Sequence, residues 1–245
     1  MLIRNILKKL KNPDWPTVVL EFVLIVLGIF LALQADNWNE NRKNKNDAQL
    51  FITRLHQDIL LAEKLTMRLR ERRLELLQSL ISVADTLYGR SDRNEISDKE
   101  CFAIGASAFF NINISELPAL AELMTTGRMA IISQDELRAA LVGLQQIKQT
   151  LELLLKTHLE SARELPIIYP DLVKTQSYVQ KDTNEVRLRF DCDLRKMRLN
   201  QGFLNDLAWN VDTYDVYFRD GLGPWFNQFD EAHQQVDQAL GIKHH

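Results

Sequence analysis

Glycine and proline are scarce in this chain. The sequence has 9 glycines and 6 prolines among 245 residues, about half of the roughly 12% that the two residues make up in average proteins. Turns and sandwich corners need these residues, so the composition argues against many-stranded β folds and excludes collagen-like and low-complexity chains. What is left is an ordinary folded protein for which an all-α fold is the expectation.

An excess of basic charge and the common catalytic motifs are missing too. The 30 Lys+Arg stand against 33 Asp+Glu, a balance that argues against a general nucleic-acid binder. His56, His158 and His233 stand alone in the sequence, and no zinc-protease, paired-cysteine or nucleotide-binding motif occurs. We therefore expect no metal site, no cofactor and no enzymatic activity.

One long hydrophobic run is present near the amino terminus. Residues 17–35 contain a single charge, Glu21, and as a helix they reach roughly 28 Å, close to the bilayer core of about 30 Å. Trp15 and Trp38 flank the run, where indole rings favour the membrane–water interface. The pattern predicts a transmembrane helix over residues 17–36.

The residues before this run predict a short amphipathic tail, residues 1–16, on the cytoplasmic side. Its basic residues suit contact with anionic lipid headgroups; they are Arg4, Lys8, Lys9 and Lys11. Each flank of the span carries four Lys+Arg, but the first flank is denser, which favours an amino terminus inside and a main domain outside the cytoplasmic membrane. A signal peptide cleaved after Ala35 is the alternative, although Glu21 interrupts its apolar stretch.

Small residues share one face of the predicted span with its only carboxylate. On a helical wheel, Glu21, Gly28, Ala32 and Ala35 fall within about 60° of one another, and Thr17 joins them. Gly28 and Ala32 form a small-x-x-x-small pattern that lets two helix backbones approach. We interpret this face as a helix–helix contact, in a homo-oligomer or with another membrane protein. The alternative is that Glu21 reaches the interface and its small neighbours are coincidental.

Residues 37–245 predict an extramembrane helical domain. No glycine or proline lies between Gly28 and Gly89, and apolar residues recur at 3–4 spacing, which predicts one long helix continuing from the span. Ser97 to Glu100 is a capping box that opens the next helix, which is expected to run through Phe110. Residues 186–190 alternate like a short strand, and residues 221–224 predict a break before the last helix. The expected architecture is an antiparallel helical bundle on a single span.

Two further features of this domain are open to more than one interpretation. The basic cluster of residues 68–73 fits a solvated helix face best. Cys101 and Cys192 are 91 positions apart; they could form a disulfide outside the cytoplasm, but spacing cannot show proximity and two buried thiols are slightly favoured.

The span resembles that of a bacterial single-pass membrane family of unknown function. The resemblance lies in Glu21, Gly28-Ile29 and Ala32-Leu33-Gln34, followed by Asn37-Trp38-Asn39-Glu40. A second similar segment runs from Leu123 through Gly127 to Leu141. The resemblance implies a retained anchor and a helical extramembrane region, and it implies no activity.

These observations favour a non-enzymatic, membrane-anchored interaction or scaffold protein of unknown specific role. The alternative is a ligand-binding sensor subunit acting through a membrane partner, with a site between helices. Polar candidates for such a site are Arg138, Gln145, His158 and Arg163.

Substitution of Gly28 by isoleucine tests the predicted contact face. A branched side chain at this position holds two helix backbones apart, so we expect Gly28→Ile to weaken self-association in a membrane two-hybrid assay. Unchanged association would contradict the homo-oligomeric form of the hypothesis.

Overall fold

The protein is mainly helical. The computed structural model describes residues 15–110 and 114–243, and the chain divides into two compact units, Met1–Phe51 and Ile52–His245. The helices are α1 (Trp15–Leu87), α2 (Asp98–Gly105), α3 (Pro118–Thr125), a 3-10 turn (Arg128–Ile131), α4 (Asp135–Ser161), α5 (Leu165–Ile168), α6 (Leu194–Leu199), α7 (Gln201–Val216), a π-helical segment (Tyr217–Leu222) and α8 (Gly223–Leu240). Strands β1 (Val173–Val179) and β2 (Val186–Cys192) form a small antiparallel sheet. The all-α prediction is confirmed.

The described part of the first unit is the amino-terminal portion of α1. An 18-residue window of this helix has a mean hydropathy of 2.6 and none of it is buried. The helix is therefore long and apolar enough to cross a membrane.

In the second unit, α1 buries apolar residues in two stretches, Ile52 to Ala62 and Leu77 to Leu87. Leu55, Ile59, Leu80 and Val83 are fully buried, at the 3–4 spacing or multiples of it that the sequence shows. Contacts with later elements fix the helix, since the Tyr88 hydroxyl donates to the carbonyl of α7 residue Leu204 at 2.7 Å. The long-helix prediction is confirmed to within one residue at its carboxyl end.

Aromatic rings fill the centre of the second unit. Phe110, Tyr214 and Tyr217 are fully buried, with ring centroids 5.2–5.8 Å apart, and His158 packs against Phe110 at 5.7 Å. Burial raises the pKa of Tyr217 and lowers that of His158. Helix α4, which carries His158, packs along α8 and the π-helical segment.

The capping box at Ser97 is confirmed, and the helix that it opens ends earlier than expected. The Ser97 side chain accepts from the Glu100 N–H, while the Glu100 carboxylate accepts from the Ser97 N–H. Helix α2 ends at Gly105, where β2 crosses so closely that a Cβ atom at Gly105 would overlap the Phe190 ring. A disulfide between Cys101 and Cys192 joins the same two elements.

The hairpin corrects the expectation of a single short strand. Strand β1 pairs with β2 from Val173 opposite Cys192 to Val179 opposite Val186. Of the β1 side chains only that of Val173 is buried. A strand that buries one side chain shows no apolar alternation, so the sequence carries no periodic signal for it.

The last helix begins at the predicted boundary, residues 221–224, but no non-helical break separates it from α7. The chain stays helical through a π-helical segment, in which the Gly223 N–H donates to the carbonyl of Phe218. Pro224 lies in the first turn of α8, where its missing N–H needs no acceptor. A wider π-turn therefore absorbs the glycines and proline that ordinarily end a helix.

Gly105→Ala tests the close packing of α2 on β2. The new methyl group displaces the Phe190 ring, and we expect a loss of about 1–3 kcal/mol in the free energy of unfolding, measured by urea denaturation. Gly143→Ala in α4 is the matched control, since its Cβ meets only the flexible Gln228 side chain at 3.1 Å and alanine favours helix by up to about 1 kcal/mol. Equal stabilities of the two variants would contradict the predicted overlap.

Candidate functional site

A groove opens between α1, α2 and the sheet. Its volume is about 990 Å³. Its lining combines apolar and basic side chains from these elements and from the segment after α2; it consists of Leu65, Arg68, Leu69, Arg72, Arg73, Glu75, Leu76, Ser79, Asp98, Lys99, Phe102, Ala106, Phe109, Ile114, Ser115 and Arg187. The groove lies entirely within the second unit.

Helix periodicity builds the α1 wall of the groove. Leu65, Arg68, Arg72 and Leu76 recur at intervals of three and four residues, so they form one stripe along the helix. The stripe has a leucine at each end and two arginines between them, and so brings apolar and cationic surface together. Arg70, between the two arginines in sequence, faces elsewhere: it lies 5.7 Å from the Phe226 ring and 3.6 Å from the Asp230 carboxylate, both on α8.

The residues of the basic cluster 68–73, predicted as a solvated helix face, therefore have different contacts. Arg73 donates to the carbonyl of Phe109 at 2.9 Å, and Lys99 pairs with Glu75 across the groove. Among residues 15–110 and 114–243, neither Arg68 nor Arg72 has a carboxylate oxygen within 4.0 Å. These two guanidinium groups are the cations that the fold leaves available in the groove.

Aromatic surface accompanies the arginines. Phe102 and Phe109 are each 44% exposed, and both line the groove. Two large apolar side chains beside two available arginines make this surface both apolar and cationic.

A buried carboxylate network borders the groove at the start of α2. Arg93 donates to both oxygens of Glu100, at 2.7 and 2.6 Å, and Ser82 of α1 donates to the same carboxylate at 2.8 Å. The hydrogen bonds from Arg93, which outweigh the opposing effect of burial, lower the pKa of Glu100 to about 2. This network fixes the connector between α1 and α2 and thereby positions Lys99 at the groove.

A second cluster joins α1 to α8. His56 Nε2 lies 3.1 Å from Asp237 Oδ1, and His233 Nε2 lies 3.6 Å from Asp237 Oδ2. One potential ligand atom from each of the three residues falls within 4.8 Å of the others. The other nitrogen of His233, Nδ1, lies 3.4 Å from a Glu63 oxygen. These groups have the chemistry and spacing to hold a metal ion.

Sequence reasoning treated these histidines as isolated and missed the cluster. The i, i+4 spacing of His233 and Asp237 indicates that both lie on one face of α8, and this part of the cluster could have been predicted from the sequence. The contact with His56 could not, because it depends on which helix packs against α8.

The residues predicted for the membrane span all lie on α1 and are exposed. Those of the proposed contact face are Thr17, Glu21, Gly28, Ala32 and Ala35, and the flanking indoles are Trp15 and Trp38. A Cβ atom at Gly28 would meet nothing within 4 Å. The basic residues predicted for the membrane interface, Arg4, Lys8, Lys9 and Lys11, lie outside the described residues.

The two cysteines are bonded to each other. Their Cα atoms lie 5.8 Å apart, so the slight preference for two separate thiols is corrected. The four polar candidates for a sensor site do not meet in the groove. Arg138 donates to the carbonyl of Ile132, and His158 belongs to the aromatic centre.

Residues 21–159 match DUF6090, a family of unknown function. The chain belongs to this family. The match includes the apolar segment and three walls of the groove, from α1, α2 and the segment after α2, while β2 and α8 lie beyond it. No curated protein and no solved structure matches the chain, so membership of DUF6090 brings no activity with it.

The Glu100 network predicts a defined loss of stability in acid. The pKa of Glu100 in the folded protein, about 2, lies below the ordinary value of 4.5. As pH falls, the Glu100 carboxylate of the unfolded chain therefore binds a proton before that of the folded protein does. The stabilisation is complete above about pH 4.5 and is lost towards pH 2. We expect Glu100→Gln to lower stability at pH 7 and to flatten this decline, measured by urea denaturation across that range.

Glu75→Gln is the control for this prediction. It removes an exposed carboxylate of an ion pair on the protein surface, and such pairs contribute little to stability. A decline as steep in Glu100→Gln as in the wild type would show that Glu100 does not carry the effect.

Proposed function

We propose that this protein is a non-enzymatic, membrane-anchored interaction protein whose second unit binds an acidic segment of a partner protein in the groove. Residues 17–36 anchor the chain in the cytoplasmic membrane, with the amino terminus inside and residues 37–245 outside. The Glu21 and Gly28 face of the span associates with a second copy or with another membrane protein.

The observation that carries this proposal is the pair of available arginines beside exposed aromatic rings. Guanidinium groups bind carboxylates through two parallel hydrogen bonds, a geometry that lysine cannot supply. Burial of Phe102 and Phe109 under a partner adds apolar contact at the centre of the site. Acidic and apolar residues that alternate along one peptide face would satisfy both requirements.

The charge distribution supports an acidic partner in the groove and not on the rest of the domain. Residues 36–245 carry 26 Lys+Arg and 31 Asp+Glu, a net charge of −5, whereas the groove lining has five Lys+Arg and two Asp+Glu. A basic groove in an acidic domain selects its partner locally and gives no general attraction for nucleic acid.

The disulfide supports the proposed orientation. Structural disulfides persist mainly outside the cytoplasm, and the Cys101–Cys192 bond ties α2 to β2 beside the groove. An extracytoplasmic domain would also keep the groove accessible to partners on that side of the membrane.

Sensing of a small anionic amphiphile is the alternative function. The groove volume of about 990 Å³ lies at the upper end of the range of about 300–1,000 Å³ typical of small-molecule sites. The same arginines and aromatic rings would contact such a ligand.

Site-specific photo-crosslinking in living cells tests the proposal. A benzophenone amino acid replaces Phe109 in the groove or, as the off-site control, Leu153, which is exposed on α4. Mass spectrometry of the crosslinked material should identify one partner and a peptide rich in Asp, Glu and apolar residues at Phe109 only.

The double variant Arg68→Gln/Arg72→Gln should lower the crosslinking yield by roughly tenfold or more, because hydrogen bonds to charged groups are each worth about 1.5–3 kcal/mol. Arg70→Gln removes a neighbouring arginine that does not line the groove and should keep the yield. Equal yields at Phe109 and Leu153, or no effect of the double variant, would refute the peptide site. A small-molecule adduct at Phe109 would favour the sensor function over the peptide site.

A further inference from the structure

We propose that His56, His233 and Asp237 form a zinc site that joins α1 to α8. Neither the sequence motifs nor the family assigns a metal to this chain. The proposal is independent of the groove, since none of these residues lines it.

The donor set matches zinc chemistry. Two imidazole nitrogens and one carboxylate are the ligands of three-residue zinc sites, which leave a fourth position for water. Bond lengths of 2.0–2.2 Å in a tetrahedron place neighbouring ligand atoms about 3.4 Å apart. The observed separations are close to this spacing and use the two different oxygens of the carboxylate: 3.1 Å from His56 Nε2 to Asp237 Oδ1 and 3.6 Å from His233 Nε2 to Asp237 Oδ2.

Helix geometry preorganises the three ligands. His233 and Asp237 are one turn apart on α8, and His56 projects from α1 towards the same carboxylate. The two oxygens of Asp237 face different imidazoles, so a cation between the rings contacts all three residues. Rotation of the His56 and His233 side chains closes the widest separation, which is no more than 4.8 Å.

Glu63 supplies the independent observation that favours a metal. A histidine that binds zinc through one nitrogen commonly donates its other ring N–H to a carboxylate, which orients the ring. Glu63 lies two turns after His56 on α1, and its oxygen is 3.4 Å from His233 Nδ1. His233 is therefore placed between Asp237 on one side and Glu63 on the other, with Nε2 directed to the metal position.

Burial and charge agree with this assignment. The side chains of His56, His233 and Asp237 are 18%, 8% and 5% exposed. Two carboxylates, those of Asp237 and Glu63, lie against the two imidazoles, and carboxylates of low exposure are favourable ligands and neighbours for a divalent cation. Low exposure favours a structural clamp between two helices, with one bound water, over an open catalytic centre.

Zinc titration of the full-length protein in detergent tests the site. The protein is first stripped with a chelator, and His244 and His245 are replaced by alanine in every sample so that terminal imidazoles do not bind metal. We expect one zinc ion per chain by competition with a chromophoric chelator and a thermal unfolding midpoint that rises with zinc. Cobalt in place of zinc should give the visible absorption of a tetrahedral ion.

Matched variants separate ligand loss from loss of fold. His56→Gln replaces the most exposed ligand and should abolish stoichiometric binding. Glu63→Gln should weaken binding by about 10-fold to 100-fold, as outer-shell partners do. His158→Gln, a buried histidine elsewhere in the second unit, should bind zinc as the parent does. Circular dichroism of the stripped proteins reports whether each variant is folded.

Three results would overturn the proposal. One is the absence of stoichiometric zinc in the parent protein. Another is unchanged affinity in folded His56→Gln. The third is an equal loss of binding in His158→Gln, which would show that the effect follows general destabilisation and not ligand removal.

Discussion

The second unit depends on the uninterrupted carboxyl-terminal part of α1. No glycine or proline falls between Gly28 and Gly89, so nothing in the sequence breaks the ladder of backbone hydrogen bonds. Side chains of this helix, and that of Tyr88 directly after it, reach four later elements: Ser82 contacts α2, Asp58 contacts α3, Tyr88 contacts α7 and His56 contacts α8. Because each of these four elements has such a polar contact, its position is specified by more than apolar burial, which is non-directional.

The same helix explains why a basic run of six residues does not act as one surface. Successive residues of an α-helix are 100° apart, so Arg70 and Arg72 cannot share a face. Arg70 lies against Phe226 and pairs with Asp230 on the surface of α8. Arg68 and Arg72 face the groove. The basic cluster of residues 68–73 therefore combines an arginine that contacts α8 with two arginines that line the groove.

The sequence predicted those features of the fold that depend on residues close together in the chain. The Ser97 capping box, the end of the long helix and the apolar span follow from spacing alone, and the structure has each of them. The Cys101–Cys192 bond, the Phe190 contact with Gly105 and the meeting of His56 with His233 join distant residues. No spacing rule encodes them, because they depend on which helix faces pack together. Strand β1 was not predicted for another reason: it is held by pairing with β2, and its own side chains are mostly exposed.

The charge distribution limits how a partner can reach the groove. An acidic domain repels an acidic segment at long range, but ionic strength screens that repulsion beyond about 8 Å under physiological conditions. Within that distance the groove arginines dominate, and the exposed rings of Phe102 and Phe109 add apolar burial that salt does not screen. For the proposed acidic partner, electrostatic steering would therefore contribute little to the association rate, and selectivity would arise after contact, from paired guanidinium and carboxylate groups losing water together. Such a site would discriminate by the arrangement of acidic and apolar residues in the partner and not by its net charge.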